Sequence, residues 1–186
     1  MTTCFEAGTL AGAGSFRCES CDFAVALQER DEVPSCPSCG SASFRRSPLF
    51  GDATAVSPPP RTENEAPQWV EEAREALVRA GDYLAFEDAE RVRVMPLGHG
   101  WTRIGRSLSA QLRLNDPTVS RRHALVYVDE EEAKLLDDRS LNGVFLNGER
   151  VERAELRDGD TISVGRFSVH FIQLAGDRAQ SAPAVR

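Results

Sequence analysis

A mainly β protein built from two unequal modules is what the sequence predicts, and three observations carry that prediction. All five cysteines of the 186 residues lie before residue 40, four of them in two Cys-x-x-Cys pairs. A Ser-, Ala- and Pro-rich stretch follows, with the run Ser57-Pro-Pro-Pro60, a composition that suits an extended spacer and cannot pack a core. Beyond residue 82, short apolar runs alternate with polar or glycine-bearing turns, the pattern of an antiparallel β-sandwich. The expected divisions are a small cysteine module at 1–46, a Pro-rich linker at 47–66, one amphipathic helix at 67–81, the sandwich at 82–174 and a polar tail, expected to be disordered, at 175–186.

Composition narrows the function classes. The formal net charge is -7 at pH 7, which argues against a general nucleic-acid or membrane-surface binder, although a local basic patch still dominates its own surroundings. No apolar run approaches the roughly 20 residues that span a bilayer, and the N-terminus lacks the pattern of a secretory signal. A cytoplasmic location without membrane insertion is expected. An odd cysteine count in that setting speaks against a disulfide framework.

In the first module, Cys18-Glu-Ser-Cys21 and Cys36-Pro-Ser-Cys39 stand fourteen residues apart. Each pair can form a tight turn presenting two sulfurs, and two pairs complete the tetrahedral thiolate set of a closed structural metal site. Pro37 and Gly40 fit such turns. The module offers few large apolar groups, chiefly Phe5, Leu10, Phe16, Phe23, Val25, Leu27, Val33 and Phe44, so a metal would supply the missing folding free energy. The segment resembles a zinc ribbon over roughly residues 15–46, which implies a structural Zn2+ on Cys18, Cys21, Cys36 and Cys39 and a strand at Phe23 to Leu27 between the knuckles. Four cysteine ligands leave the metal no open position for catalysis. A redox role for either pair would need a βαβ context that is absent. Cys4 is expected to be a small residue near a frayed terminus. Arg17, Arg30, Arg45 and Arg46 are outnumbered by Glu6, Glu19, Asp22, Glu29, Asp31 and Glu32, which favours a protein contact module over a phosphate-tracking surface.

After the linker, Thr62 precedes Glu65 by three residues in a capping pattern, and Trp69, Val70, Ala73, Ala76, Leu77 and Ala80 recur at helical spacing. A helix over Gln68 to Ala80 is expected, with Gly81 just past its end and Trp69 packed on the next domain. Strands are then expected at Tyr83 to Phe86, Arg91 to Met95, Trp101 to Ile104, Gln111 to Leu114, His123 to Val128, Lys134 to Leu136, Val144 to Leu146, Thr161 to Val164 and Phe167 to Leu174. Asn147-Gly148, between Val-Phe-Leu and Glu-Arg-Val, marks a two-residue hairpin.

The stretch from Arg103 to His123 carries Arg103, Arg106, Arg113, Arg121 and Arg122 against Asp116 alone. Around it run Ile104-Gly105-Arg106, Val119-Ser120-Arg121-Arg122-His123, Asp138-Arg-Ser-Leu-Asn142-Gly143-Val-Phe-Leu-Asn147-Gly148 and Leu156-Arg-Asp-Gly-Asp160-Thr-Ile-Ser-Val-Gly165. These four blocks resemble the successive motifs of a forkhead-associated (FHA) domain over about residues 82–174. The whole chain is therefore expected to be an antiparallel FHA-type β-sandwich preceded by a small zinc-ribbon module, a Pro-rich linker and one amphipathic helix.

The resemblance implies loops at one end of the sandwich that bind phosphothreonine in an extended peptide. A phosphothreonine brings about -1.5 to -2 charge and three acceptor oxygens, which a fixed guanidinium and short neutral donors suit. Arg106 matches the family's phosphate-clamping arginine, Ser120 its hydroxyl donor, and Arg121 a second donor. Asn142 matches the asparagine that fixes the peptide main chain with one donor and one acceptor. Gly105, His123 and Gly143 match loop-shaping positions, and Asn147 is expected to make its hairpin turn. Leu141 departs from the hydroxyl residue many relatives carry there, and Ser140 is the candidate to compensate. Arg103 and Arg113 are expected to be solvated charges, and Arg122 to pair with a carboxylate. His99 and His170 have no catalytic or metal partners at useful spacing.

The expected function is a non-catalytic, phosphothreonine-peptide-binding adaptor in Ser/Thr kinase signalling, with the zinc ribbon as a second interaction module. Its partner would be a phosphothreonine-containing protein, a kinase or a kinase substrate, and phosphorylated Thr62 would be an internal ligand at high effective concentration. The alternative is a zinc-ribbon nucleic-acid-binding or transcription-associated protein regulated through its FHA domain. An enzyme would need a nucleophile beside a base or an open metal, and neither pattern is visible.

Overall fold

A computed structural model describes residues 4–48 and 66–174. The Ser57 to Pro60 run, Thr62 and the tail beyond residue 174 lie outside the described residues. The N-terminal module is a four-stranded antiparallel sheet of β1 (Cys4–Glu6), β2 (Gly14–Cys18), β3 (Ala24–Leu27) and β4 (Ser43–Arg46), in the order β1-β4-β2-β3. Its core is small: Phe16, Phe23, Val25, Leu27, Val33 and Phe44 are all buried, and Phe5 stands edge-on to Phe16 at 5.1 Å. Cys4 departs from the expected frayed end. It pairs with Arg45 in the sheet, and its thiol donates to the Glu19 carboxylate at 3.1 Å.

Side-chain alternation along β3 decides what faces where, because successive residues point to opposite sides of a strand. Phe23, Val25 and Leu27 turn into the module's own core. The small Ala24 and Ala26 turn the other way. β3 also ends its sheet, so its outward backbone groups have no strand partner within the module.

Helix α1 (Gln68–Ala76) stops four residues before the expected Ala80, since Leu77 adopts an extended conformation and donates its N–H to the Arg74 carbonyl. The chain turns there because Trp69, Val70 and Leu77 pack together with Tyr83, Ala85 and Ile172. Tyr83 Oη ties the exit by donating to the Arg79 carbonyl at 2.8 Å. Gly81 opens the first sandwich strand instead of terminating the helix. Trp69 packs edge-on against the His170 ring at 5.2 Å.

The C-terminal domain is a sandwich of two sheets. One contains β5 (Gly81–Asp88), β6 (Arg91–Leu97), β11 (Val144–Leu146), β12 (Glu149–Val151), β14 (Thr161–Val164) and β15 (Phe167–Leu174) in the order β12-β11-β14-β15-β5-β6. The other contains β7 (Gly100–Gly105), β8 (Leu112–Arg113), β9 (Ala124–Val128), β10 (Ala133–Asp137) and β13 (Arg153–Glu155) in the order β13-β10-β9-β7-β8. Between them lie Leu84, Ile104, Val126, Leu135, Ile162 and Phe171, each at most 1% exposed. Each such side chain contributes about 1.5–3 kcal/mol through burial.

Pairing is antiparallel except for the short β7–β8 pair, which is parallel. Strand β13 had no sequence signal, because Arg153 and Glu155 flank a single apolar residue; it forms by edge pairing of Ala154 with Leu135. Asn147 has φ 51° in the two-residue turn joining β11 to β12, as the Asn-Gly hairpin requires. These strands carry the loops 106–111, 114–123 and 138–143 that form the site.

Candidate functional site

Arg106 leaves the end of β7, and its placement depends on a close backbone crossing. Its N–H donates to the Ser120 carbonyl at 3.0 Å, and the Ser107 N–H donates to the Arg121 carbonyl at 3.2 Å. A Cβ on Gly105 would lie 2.4 Å from the Arg121 carbonyl oxygen, so the strand can pass beneath that loop only without a side chain.

His123 ties the second loop to the third. Its Nδ1 accepts the Ser120 N–H at 3.0 Å, so the ring proton sits on Nε2, which faces the Gly143 carbonyl at 3.2 Å. Complete burial holds the imidazole neutral, with its pKa pushed down to about 4, although the Gly143 carbonyl and Asp137 oppose that shift. Ser120 Oγ accepts the Leu141 N–H at 3.0 Å, an arrangement that leaves its hydroxyl proton free to donate outward. Ser140 is committed elsewhere: its N–H and hydroxyl both donate to Asp137, at 2.7 and 3.0 Å.

Arg106, Ser120 and Arg121 line one cleft of about 440 Å³, with Arg103, Arg122, Arg139 and Leu141 around them. Arg122 is drawn aside by paired bonds of 2.8 and 2.7 Å to Asp138. Arg113 contacts Asn115. Asn147 lies apart, its amide bracing Asp160 and Thr161.

Strand β3 of the N-terminal module also lies in this site. Asn142 Oδ1 accepts the Ala24 N–H at 2.7 Å, and Asn142 Nδ2 donates to the Ala24 carbonyl at 2.7 Å. Two residues further along β3, the Ala26 N–H donates to the Pro117 carbonyl at 2.9 Å. Asp31 Oδ2 stands 3.3 Å from Arg106 Nη1. Burial pushes the Arg106 guanidinium pKa down, while Asp31 and Asp116 counter that effect. Its Nε is buried with no hydrogen-bond partner among the described residues.

Ala24, Ala26, Asp31 and Pro117 escaped the sequence reading because three of the four act through backbone atoms. The one available signal was the alternation of small and large residues from Phe23 to Leu27, which leaves a smooth outer face for close backbone approach.

Within the ribbon, the sulfurs of Cys18, Cys21, Cys36 and Cys39 all lie within 4.8 Å of one another. Cys18–Cys39 and Cys21–Cys36 are 3.5 Å apart, near the edge of about 3.8 Å that Zn–S bonds of 2.3 Å give in a tetrahedron. The residue after each pair has positive φ, 60° at Asp22 and 75° at Gly40. Its N–H returns to the first cysteine's carbonyl, at 3.0 Å to Cys18 and 2.8 Å to Cys36. Burial disfavours a thiolate at Cys18, but the N–H groups of Ser20 and Cys21 with neighbouring thiols outweigh it and bring the pKa to about 7. Burial dominates at Cys36 and pushes its thiol up. These four side chains fit a tetrahedral metal ion.

Comparisons with known proteins match both modules. An FHA domain model matches residues 102–165, and a zinc-ribbon containing domain model matches residues 1–48. The chain is 39% identical over 71 residues to glycogen accumulation regulator GarA of Mycobacterium tuberculosis, covering 38% of this chain and 44% of that protein. It is 41% identical over 78 residues to the oxoglutarate dehydrogenase inhibitor of Corynebacterium efficiens, covering 42% and 54%. The chain thus spans about half the length of these curated relatives. A solved structure from a study of phosphothreonine-dependent FHA domain interactions is 35% identical, covering 50% of this chain and 97% of that one with a TM-score of 0.48. The chain thus carries an FHA domain and, N-terminal to it, a zinc-ribbon containing domain. Among the described residues, no helix is long and apolar enough to cross a membrane.

Proposed function

We propose that this protein is a non-catalytic reader of phosphothreonine peptides in Ser/Thr kinase signalling, working in the cytoplasm, with a structural zinc ribbon as its second interaction module. One observation carries the reading: Asn142 grips both backbone groups of a single residue in an extended strand, beside Arg106. That geometry sets the register of a bound chain relative to a guanidinium, which is what reading a phosphorylated residue in a peptide demands.

In this reading Arg106 supplies charge-assisted bonds to the phosphate, Ser120 donates its hydroxyl, and Arg121 adds a second cation at the rim. Asn142 holds the peptide backbone. Gly105, His123 and Gly143 keep the loops in place, and Ser140 shapes the third loop through Asp137. Zn2+ on Cys18, Cys21, Cys36 and Cys39 folds the ribbon. The partner is a phosphothreonine-containing protein, a Ser/Thr kinase or its substrate.

A phosphothreonine peptide library screened against the full chain and Arg106→Ala tests the assignment. Selected peptides are expected to lose ten- to over a hundred-fold in affinity on that substitution, for bonds worth about 1.5–3 kcal/mol. They should bind far more weakly without the phosphate. An Arg106→Ala chain that binds as well as the parent contradicts the proposal.

A further inference from the structure

We propose that the zinc ribbon is a phosphate-free internal ligand of the FHA groove, which strand β3 and Asp31 keep closed until a phosphothreonine peptide displaces them. This inference rests on the phosphothreonine reading above and concerns the regulation of the same site.

The fit begins at the edge of the ribbon sheet. Ala24 turns away from the ribbon core, yet it is only 2% exposed, because the FHA loops cover it. Its N–H and C=O take both ends of the Asn142 amide, and the Ala26 N–H takes the Pro117 carbonyl. An outward edge that would otherwise lack partners is satisfied by the groove. Asn142 has one amide, so it can hold β3 or an incoming peptide, but not both.

The internal ligand satisfies the cation only in part. Asp31 brings a single negative charge and meets Arg106 through one 3.3 Å contact, while Arg106 Nε has no partner among the described residues. A phosphate offers more charge and three acceptor oxygens. The cleft bounded by Ala26, Arg106, Ser120 and Arg121 also leaves the cationic side of the site open while β3 is seated, so a phosphate can approach before the strand departs. Tethering compensates for the weaker contact, since a ligand on the same chain is present at high effective concentration. The outcome is a groove that admits strong ligands and rejects weak ones.

The test uses the full chain with a protease site placed within residues 49–65 and the phosphothreonine peptide selected in the library screen. Cutting is expected to tighten binding by at least about tenfold once the halves are dilute enough to separate. In the uncut chain Asp31→Asn, which keeps an acceptor for the Gln28 N–H, should tighten binding about threefold. In the cut and separated chain the same substitution should change nothing. If the halves elute together after cutting, added peptide should part them; halves that stay together with peptide bound overturn the proposal. Equal affinity before and after separation overturns it as well, while leaving the phosphothreonine reading intact. Absence of binding to any phosphothreonine peptide, cut or uncut, removes that reading and this one together.

Discussion

At the scale of single residues, His123 gives the site a pH limit. Its pKa falls from 6.5 to about 4 on folding, so between those values the unfolded chain takes up a proton that the folded chain refuses. The stabilising contribution is complete above about pH 6.5 and is lost as the pH falls toward 4. Its share of the loss between pH 7 and pH 5 is roughly 2 kcal/mol. Urea unfolding at the two pH values should show this loss in the parent chain and a shallower loss in His123→Gln. His170 is also pushed down by burial but is common to both chains. Identical pH dependence would contradict the assignment. The histidine's position was legible from its motif; its role as a clasp between Ser120 and Gly143 was not, because a motif does not show which backbone atoms a side chain meets. Ser140 illustrates the same gap. Its hydroxyl was assigned by proximity in sequence, but Asp137 captures it first through a local bond.

At the scale of elements, the ribbon's dependence on metal can be measured directly. Eight buried core residues, two of them cysteines, make a weak core, so an ion held by the four sulfurs would contribute folding free energy that the core lacks. Purified chain should contain one zinc per molecule by elemental analysis. Cys36→Ser should abolish it and collapse the dispersed amide resonances of residues 4–48 while leaving those of the sandwich. Retained zinc with retained resonances would refute the four-cysteine site. The knuckles were readable because cysteine spacing is rigid chemistry, and β3 between them because its apolar run is dense. Strands β1, β2 and β4 were not, since their residues alternate briefly and depend on pairing across the module. The early stop of α1 follows from the same cause: Leu77 has helical spacing in sequence, but tertiary packing with Tyr83 and Ile172 draws it out of the helix.

At the scale of the whole molecule, metal and phosphopeptide would be linked through strand β3, which the ribbon supplies to the groove and a bound peptide would displace. If the ribbon must be folded to seat β3, removing zinc should release Asn142 and raise affinity for a phosphothreonine peptide. A chelator titration followed by peptide anisotropy should show tighter binding in the metal-free chain, and by reciprocity peptide should make zinc easier to extract. Unchanged affinity after complete zinc removal would break the link. The sequence showed two modules and assigned each a site, but it gave no sign that one module sits in the other's site, because that union is written mainly in backbone atoms. A last consequence comes from β3 being the end strand of its sheet. A peptide that captures Asn142 leaves the N–H and C=O of Ala24 and the N–H of Ala26 facing water, as an open template to which another extended chain can add as a fifth strand. Reading a mark on one protein would then uncover a landing place for another, and the chain would pass the message on by changing which of its edges is bare.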